Sequence, residues 1–418
     1  MFSQVTSLAI PDTRLGVSVS GNGFVKNGRP FSGIGVNHWG AFINEVSSLG
    51  IPSNYRTDLP TIKNTYGLPF IRVSVGMYSR PTWYNNWYLT QPTYLAKLDD
   101  FVAKCESVGL GCIVTLAWNL RAFTDMCFDV YGAHSPPKDL AYKHTKAWQL
   151  FSQYVTQIVN RYKNSPAVYG WEICNEPNFS VGNEYNYGWK LDGTDAVAAA
   201  FSNWGNSPLG LSYAPCDKFT QAEWRNFSAA VIALINSIDP HQRMISSGVG
   251  LGSQFAVGAQ STNTVAADTL AQWSGVASTE GIPYVAYRDK PYNTICAHIY
   301  PQSAANSRFF LDGQKTQAEM IQLCKQWADA SNKPFYLGEW GACYLDPADE
   351  TSVDVSTETA NFNAALSSIT TNGVKMSSIW NYDGDLAGGF AWMKWKLTDP
   401  TRLYQLTAIA NANASMSN

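Results

Sequence analysis

Eight short apolar runs recur along the chain, and segments with a helical repeat separate most of them. Consecutive positions in these runs are apolar and often β-branched, which predicts strands covered on both faces, as in a parallel sheet. The predicted strands are Phe31–Val36, Pro69–Val75, Gly111–Ala117, Ala167–Cys174, Arg243–Gly248, Asn293–His298, Pro334–Gly338 and Ser377–Asn381.

The segments between the runs repeat apolar residues every three to four positions, which is the period of a helix that buries one face. The clearest stripes are formed by Leu95, Leu98, Phe101, Val102, Cys105 and Val108, by Leu150, Phe151, Tyr154, Val155, Ile158 and Tyr162, and by Ala318, Ile321, Cys324, Trp327 and Ala328. Strand and helix thus alternate, which predicts a TIM barrel of the α/β class. An open doubly wound sheet is the weaker alternative, because no glycine-rich phosphate loop follows the first strand.

Three segments stand apart from the repeating units. Within residues 1–30, Gly16–Val19 and Gly23–Lys26 flank turn residues, and Asn27-Gly28 is a further turn signal, so we expect a short hairpin that closes the barrel floor. Residues 178–220 and 250–292 follow the fourth and fifth strands as long loops, which in a barrel usually serve substrate binding or act as lids. Since no linker or repeat interrupts the pattern, residues 1–418 are expected to form one TIM-barrel domain.

Composition narrows the choice of partners. A formal net charge of -3 gives no electrostatic reason to bind nucleic acid or an anionic membrane, and no apolar stretch approaches the length of a membrane span. Aromatic residues make up 13% of the chain and charged residues only 15%, which is more rings than a core alone requires. Because flat sugar faces pack on such rings, we expect an oligo- or polysaccharide partner.

The N-terminus and the cysteines bear on location. Met1–Thr6 has neither the basic start nor the apolar core of a signal peptide, so either a leader has been removed or secretion follows another route. We expect a secreted monomer. Cys112, Cys174 and Cys296 lie in apolar strands and should be free thiols. Cys127, Cys216 and Cys343 lie in loops and could pair. No Cys or His spacing predicts a metal site, and no cofactor is expected.

Two glutamates stand where apolar runs meet loops rich in glycine, proline and aromatic residues. Glu176 lies in Trp171-Glu172-Ile173-Cys174-Asn175-Glu176-Pro177, and Glu339 lies in Tyr336-Leu337-Gly338-Glu339-Trp340-Gly341. A poorly solvated carboxyl group has a tunable pKa, so two of them in different surroundings can divide acid and base work. Glu172, inside its strand, is expected to form a structural ion pair with Arg72 or another barrel cation.

In a TIM barrel the reacting residues come from the C-terminal ends of the strands. In this chain those positions carry an arginine, amides, histidines, a tyrosine and tryptophans besides the two acids. The residues at these positions are Asn37, His38, Trp39, Arg72, Trp118, Asn119, Asn175, Glu176, His298, Tyr300, Glu339 and Trp380.

On these residues the chain is similar to glycoside hydrolase family 5, the retaining cellulase and mannanase family of clan A. The resemblance extends from Asn27-Gly28-Arg29-Pro30-Phe31 to Ser378-Ile379-Trp380, and its most specific part is Asn175-Glu176-Pro177 combined with Glu339. Many members carry a histidine after the third strand, where this chain has Trp118-Asn119, and that departure affects the expected substrate more than the mechanism.

The resemblance implies roles for the matched residues. Glu176 corresponds to the general acid/base and Glu339 to the nucleophile, while Asn175 would bind the sugar 2-hydroxyl. Arg72 would hold the pKa of Glu339 down, and Tyr300 would position the same carboxylate by a hydrogen bond. His298 would order the polar network, and Trp380 would stack beneath the reacting ring. The remaining expected substrate-binding residues are His38, Trp39, Trp118 and Asn119.

The resemblance implies a retaining endo-β-glycosidase that acts on a β-linked glucan or mannan by double displacement. An exo-acting glycosidase or transglycosylase of the same clan is one alternative. A non-catalytic carbohydrate-binding barrel is another, although binding alone would require neither Glu176 nor Glu339. A phosphate-handling barrel is disfavoured because no glycine-rich phosphate loop occurs near strands seven and eight.

Overall fold

The computed structural model describes residues 14–46, 53–76, 87–88, 90–118, 120, 126–127, 130–132, 135–177, 219–249, 290–301, 308–310, 313–343, 355–383 and 395–416. The two long loops expected at 178–220 and 250–292 therefore lie almost wholly outside the described residues, as does Asn119.

The strands, in chain order, are β1 (Ser18–Ser20), β2 (Gly23–Lys26), β3 (Arg29–Phe31), β4 (Gly33–Asn37), β5 (Phe70–Ser74), β6 (Gly111–Ala117), β7 (Val168–Cys174), β8 (Met244–Ser246), β9 (Ile295–Ile299), β10 (Arg308–Phe310), β11 (Gly313–Lys315), β12 (Phe335–Trp340) and β13 (Met376–Ile379). The α-helices are α1 (Gly40–Val46), α2 (Tyr55–Pro60), α3 (Gln91–Val108), α4 (Lys146–Tyr162), α5 (Gln221–Ile238), α6 (Gln317–Ala330), α7 (Val355–Thr371) and α8 (Leu403–Met416). A π-helical turn, Thr61–Thr65, continues α2, and a 3₁₀ turn, Pro137–Ala141, precedes α4.

Eight strands form one parallel sheet in the order β8-β7-β6-β5-β4-β13-β12-β9. All eight predicted strands are confirmed, with shifts of a few residues at their ends, and the sheet curves into a nearly closed TIM barrel. Asn293 bridges the seam between β8 and β9. Its Oδ1 accepts from the amide of Ile245 at 2.7 Å, and its Nδ2 donates to the carbonyl of Arg243 at 3.0 Å.

The three helical stripes read from the sequence are also confirmed, as α3, α4 and α6. Thr145 caps α4 by accepting from the amide of Trp148, and the Thr316–Glu319 capping box begins α6. These caps fix where the helices start, since they satisfy amides that have no partner inside the helix.

Within the described part of the N-terminal segment, residues 14–31, the chain forms a three-stranded antiparallel sheet, β1-β2-β3, where a simple hairpin was expected. Asn27 and Gly28 turn the chain between β2 and β3 with φ of 52 and 73 degrees, the left-handed conformation that a tight hairpin turn requires. Val17 and Phe24 from this sheet pack beneath the barrel with buried apolar residues of its lowest layer. These are Phe70, Ile113, Tyr169, Met244, Cys296, Tyr336 and Met376.

A bulge in β12 is the fold feature that matters most for the site. The pairing register with β9 shifts between Leu337 and Glu339. Successive side chains of a strand point to opposite faces, and one extra residue reverses this alternation for every residue that follows. Tyr336 points into the barrel, and because of the bulge Glu339 does so too. Trp340 points outward and stacks on Phe362 of α7. The strand continues to Trp340, so the predicted end at Gly338 was too early.

Cys127 and Cys343, which were expected to be able to pair, are free buried thiols, and Cys216 lies outside the described residues. Cys112, Cys174 and Cys296 are buried thiols that form no disulfide, as predicted. Among the described residues, no helix is both long and apolar enough to cross a membrane.

Candidate active site

Glu176 follows β7 in a backbone conformation that few side chains favour. Its φ is 43 degrees, and its amide donates to the carbonyl of Gly248 at 2.9 Å. Gly248 itself has φ of 70 degrees, and a Cβ there would come within 1.8 Å of the Cys174 carbonyl oxygen. Only glycine permits this close approach, which ties the turn carrying Glu176 to the segment after β8. The Glu176 side chain is about a quarter exposed at the C-terminal ends of the barrel strands.

Glu339 is held from two sides. Arg72 on β5 donates from Nη1 to its Oε1 at 2.6 Å, and the hydroxyl of Tyr300 donates to its Oε2 at 2.8 Å. Glu339 is only 5% exposed. Burial raises the pKa of this carboxyl, and the lowering influence of His298, Arg72 and the Tyr300 hydroxyl does not outweigh it. Arg72 lowers the pKa of Glu339, as expected, but the net pKa is raised because removing the carboxylate from water has the larger effect.

His298 lies between the two acids. Its Nδ1 is 3.1 Å from Glu176 Oε1 and 3.5 Å from Glu339 Oε1. Burial lowers the pKa of His298 to about 4, so the imidazole is neutral above that pH. One carboxylate oxygen of Glu176, one of Glu339 and the His298 ring nitrogen all lie within 4.8 Å of one another. The predicted catalytic pair and His298 are thus brought together.

Arg72 organises the layer below. Its Nη2 donates to Asn175 Oδ1 at 2.7 Å, and its Nη1 donates to Asn37 Oδ1 at 2.9 Å. Asn37 in turn donates from Nδ2 to the carbonyl of Gly338, at the bulge, at 3.1 Å. The predicted ion pair of Glu172 with Arg72 is confirmed, with Arg72 Nη2 2.6 Å from Glu172 Oε1.

Two residues of this layer were not singled out from the sequence. Thr115 and Ser246 both donate hydroxyl hydrogen bonds to Glu172, at 2.7 and 3.0 Å. The signal that could have found them is the pairing register, because Thr115 lies beside Glu172 on β6 and Ser246 lies beside it on β8. That register becomes visible only once the strands are aligned.

The predicted aromatic residues form one cluster. Trp118 stacks on Trp380 with ring centroids 6.1 Å apart, and Trp39 meets Trp118 edge-on at 5.7 Å. His38 lies elsewhere: its Nε2 is 3.2 Å from Asp58 of α2, and its ring contacts Tyr382 at 5.1 Å. Among the described contacts, none joins His38 to Glu176 or Glu339. Whether these side chains bind substrate stays a prediction.

Two groups of described side chains have the reach to bind a metal ion. One is Glu172, Cys296 and His298, and the other is Glu176, His298 and Glu339. In both groups a carboxylate is already paired with the guanidinium of Arg72, at 2.6 Å. A fixed positive charge at that distance opposes the binding of a second cation. The absence of a metal requirement stays a prediction.

Known proteins resemble this chain in sequence and in fold. The family model described as Cellulase (glycosyl hydrolase family 5) matches residues 25–384. A mannan endo-1,4-beta-mannosidase A from Podospora anserina is 34% identical over 88 residues, which is 21% of this chain and 23% of that protein. The match thus spans only about a quarter of that relative.

Solved structures support the fold. An endo-1,4-beta-mannanase from Rhizomucor miehei superposes with a TM-score of 0.59 at 16% identity, covering 96% of this chain and 99% of that one. The catalytic domain of an endoglucanase from Thermobifida fusca superposes with a TM-score of 0.52 at 13% identity, covering 94% of this chain and 96% of that one. At such identities the likeness concerns the barrel itself.

Proposed function

The chain belongs to glycosyl hydrolase family 5 and is a glycoside hydrolase, and from that premise we propose that it cleaves internal β-linkages of a mannan by double displacement. The observation that carries the proposal is the pair of carboxylate oxygens of Glu176 and Glu339 within 4.8 Å of each other. Retaining enzymes hold their two carboxyl groups ~5–5.5 Å apart, whereas inverting enzymes need ~6.5–9.5 Å to admit a water.

In the first step the Glu339 carboxylate attacks the anomeric carbon while Glu176 gives its proton to the departing glycosidic oxygen. The bond from the anomeric carbon to that oxygen breaks, and an ester to Glu339 forms. Arg72 and Tyr300 fix both oxygens of Glu339, so little reorganisation precedes the attack.

In the second step Glu176 takes a proton from water, and the resulting hydroxide-like oxygen attacks the same carbon and releases Glu339. Glu176 is the more exposed of the two acids, with 25% of its side chain accessible against 6% for Glu339. This difference supports giving Glu176 the role that exchanges protons with leaving group and water. Asn175 is assigned to the 2-hydroxyl and Trp380 to the ring face, as the family resemblance implies.

A mannan is proposed as first choice because of the Podospora relative, whose name states a mannosidase activity. A β-glucan is the second candidate, since the matching family model is described as a cellulase. A polymeric substrate also favours a secreted protein, since such polymers lie outside the cell.

A reducing-end assay across mannan, β-glucans, mixed-linkage glucan and xylan tests the proposal. We expect the highest rate on mannan and a spread of oligosaccharide products from a long chain. Release of a single small product would assign the enzyme to the exo-acting alternative. If the wild type, like Glu339→Ala, binds these polymers but cleaves none of them, the non-catalytic barrel would be favoured instead.

A further inference from the structure

One guanidinium serves two buried carboxylates in this barrel. Arg72 donates from Nη1 to Glu339 at 2.6 Å, and it donates from Nε to Glu172 at 2.8 Å. Glu172 is 0% exposed, Arg72 is 2% exposed and Glu339 is 5% exposed, so solvent screens the three charges only weakly. The positive charge of Arg72 is therefore divided between the proposed nucleophile and a second acid that cannot reach the substrate.

The surroundings of Glu172 suit a carboxylate acceptor. Besides Arg72, the hydroxyl of Thr115 donates to Oε1 at 2.7 Å and that of Ser246 donates to Oε2 at 3.0 Å. Both oxygens thus receive donors from neighbouring strands, which fixes the carboxylate on one side of Arg72. This is more than a charge pair requires, and it orients the guanidinium towards Glu339.

We propose that Glu172 is a positioning residue for the nucleophile, holding Arg72 in place and neutralising enough of its charge that Glu339 keeps its reactivity. The inference rests on the proposed role of Glu339. Glu172 is fully buried, so it acts through Arg72 and not on the sugar.

The physical reason lies in what an unopposed guanidinium would do. A full positive charge beside a buried carboxylate stabilises its ionised form strongly, and a carboxylate so stabilised is a weaker base and a weaker nucleophile. A second carboxylate on the same cation offsets part of that stabilisation. Without Glu172, Arg72 would favour the resting, ionised state of Glu339 over the ester that must form.

Other charged or titratable groups face the same cluster, and the variants that test Glu172 leave all of them unchanged. Glu339 faces Arg72 on β5, Glu176 after β7, and His298 and Tyr300 from β9 and the residue beyond it. The groups that face Glu172 are Arg72, Cys174, Cys296, His298 and Tyr336.

Glu172→Gln tests the proposal because it removes the charge and keeps the shape. The amide oxygen can still accept from Arg72, and the amide nitrogen can donate to the Ser246 hydroxyl. At low pH kcat/KM should fall as Glu339 is protonated, and this fall is the acidic limb of the pH profile. We expect the acidic limb to move to lower pH by about 1 unit, since loss of a neighbouring negative charge lowers the pKa of Glu339. At the plateau kcat should fall roughly 10-fold, with KM little changed.

Asp239→Asn is the matched control. Asp239 pairs with Arg243 at 2.6 Å, and both are buried, but they lie at the opposite end of the barrel, where Arg243 binds the carbonyl of Val168 at the start of β7. This variant should lose stability and keep the wild-type pH limb. An unshifted limb in Glu172→Gln, or an equal shift in both variants, overturns the proposal.

Glu172→Asp covers the case in which the glutamine variant does not fold. It keeps the charge but withdraws the carboxylate from Arg72, so kcat should fall while the acidic limb stays in place. Wild-type kcat and an unmoved limb together would overturn the proposal. Failure of the underlying function would look different, because Glu339→Ala would then retain turnover. If Glu339→Ala is inactive but Glu172→Gln keeps the wild-type acidic limb of kcat/KM, only the role of Glu172 is overturned.

Discussion

The hydroxyl of Tyr300 donates to Glu339 Oε2 over 2.8 Å, on the side of the carboxylate opposite to its contact with Arg72. A hydrogen bond to a charged group contributes about 1.5–3 kcal/mol. We therefore expect Tyr300→Phe to lower kcat roughly 10- to 100-fold. The acidic limb of kcat/KM should move to higher pH, since removing a donor disfavours the ionised carboxyl.

Tyr336→Phe is the control for this change. Tyr336 lies on the same strand as Glu339, and its hydroxyl bonds to Ser378 at 2.9 Å in the barrel interior. It should reduce stability by about 1 kcal/mol and leave the limb where it is. A Tyr300→Phe enzyme with the wild-type pH profile would show that the Tyr300 hydroxyl does not act on the nucleophile.

His298 makes stability depend on pH. Its pKa is lowered to about 4 in the folded protein, whereas in the unfolded chain it should lie near ~6.5. Between these values the unfolded chain binds the proton and the folded protein does not. The free energy of unfolding should therefore fall as pH drops from about 6.5 to about 4, by at most about 3 kcal/mol from this residue.

Denaturant titrations of wild type and His298→Gln at neutral pH and near pH 4 measure this contribution. The comparison is necessary because Glu339, with its raised pKa, acts in the opposite direction: the folded protein takes up that proton first, which adds stability as pH falls. On acidification the free energy of unfolding of His298→Gln should rise relative to that of the wild type. An unchanged difference would contradict the account of His298.

Helix α8 is joined to the first barrel strand by Asn413. Its Oδ1 accepts from the amide of Ile34 at 2.7 Å, and its Nδ2 donates to the carbonyl of the same residue at 2.9 Å. Asn413→Leu should lower the free energy of unfolding by about 2 kcal/mol or more, since two buried backbone groups lose their partner. The exposed Asn411 on the same helix offers a control, as Asn411→Leu should change stability little. Equal effects in a denaturant titration would contradict this role.

Glu339→Ala tests the nucleophile. We expect turnover to fall about 10,000-fold or more while substrate binding is retained. Azide should restore cleavage by attacking from the vacated side and should give a glycosyl azide of inverted configuration. Glu358→Gln is the control, because Glu358 is also buried but lies on α7, outside the barrel strands, where it accepts from Arg402 at 2.7 Å. Near wild-type turnover in Glu339→Ala would show that the site is assigned wrongly.

The sequence predicted the barrel because parallel strands covered on both faces leave a continuous apolar signal, and eight such runs are visible. It could not show the bulge in β12, since the extra residue is defined only against the register of β9. For the same reason the sequence placed Glu339 at a strand end, whereas it lies within the strand. The β10–β11 hairpin was also missed.

Within the site, residue type revealed the acids, but not the balance of forces on them. The net direction of the Glu339 pKa depends on burial as well as on Arg72, and burial follows from packing that no local motif encodes. The contacts of Thr115 and Ser246 with Glu172 likewise depend on three strands lying side by side. His38 fits the expected strand end, yet the described contacts of its side chain are to Asp58 and Tyr382.

The stereochemistry of the first product tests the central claim, that Glu339 attacks the sugar directly. The proposed ester must form and then be hydrolysed, and two displacements at one carbon restore the original configuration. Proton NMR during early hydrolysis of a β-linked oligosaccharide distinguishes the anomers before mutarotation mixes them. The account predicts that the β-anomer appears first. Initial release of the α-anomer would contradict it and would make Glu339 a base that activates water.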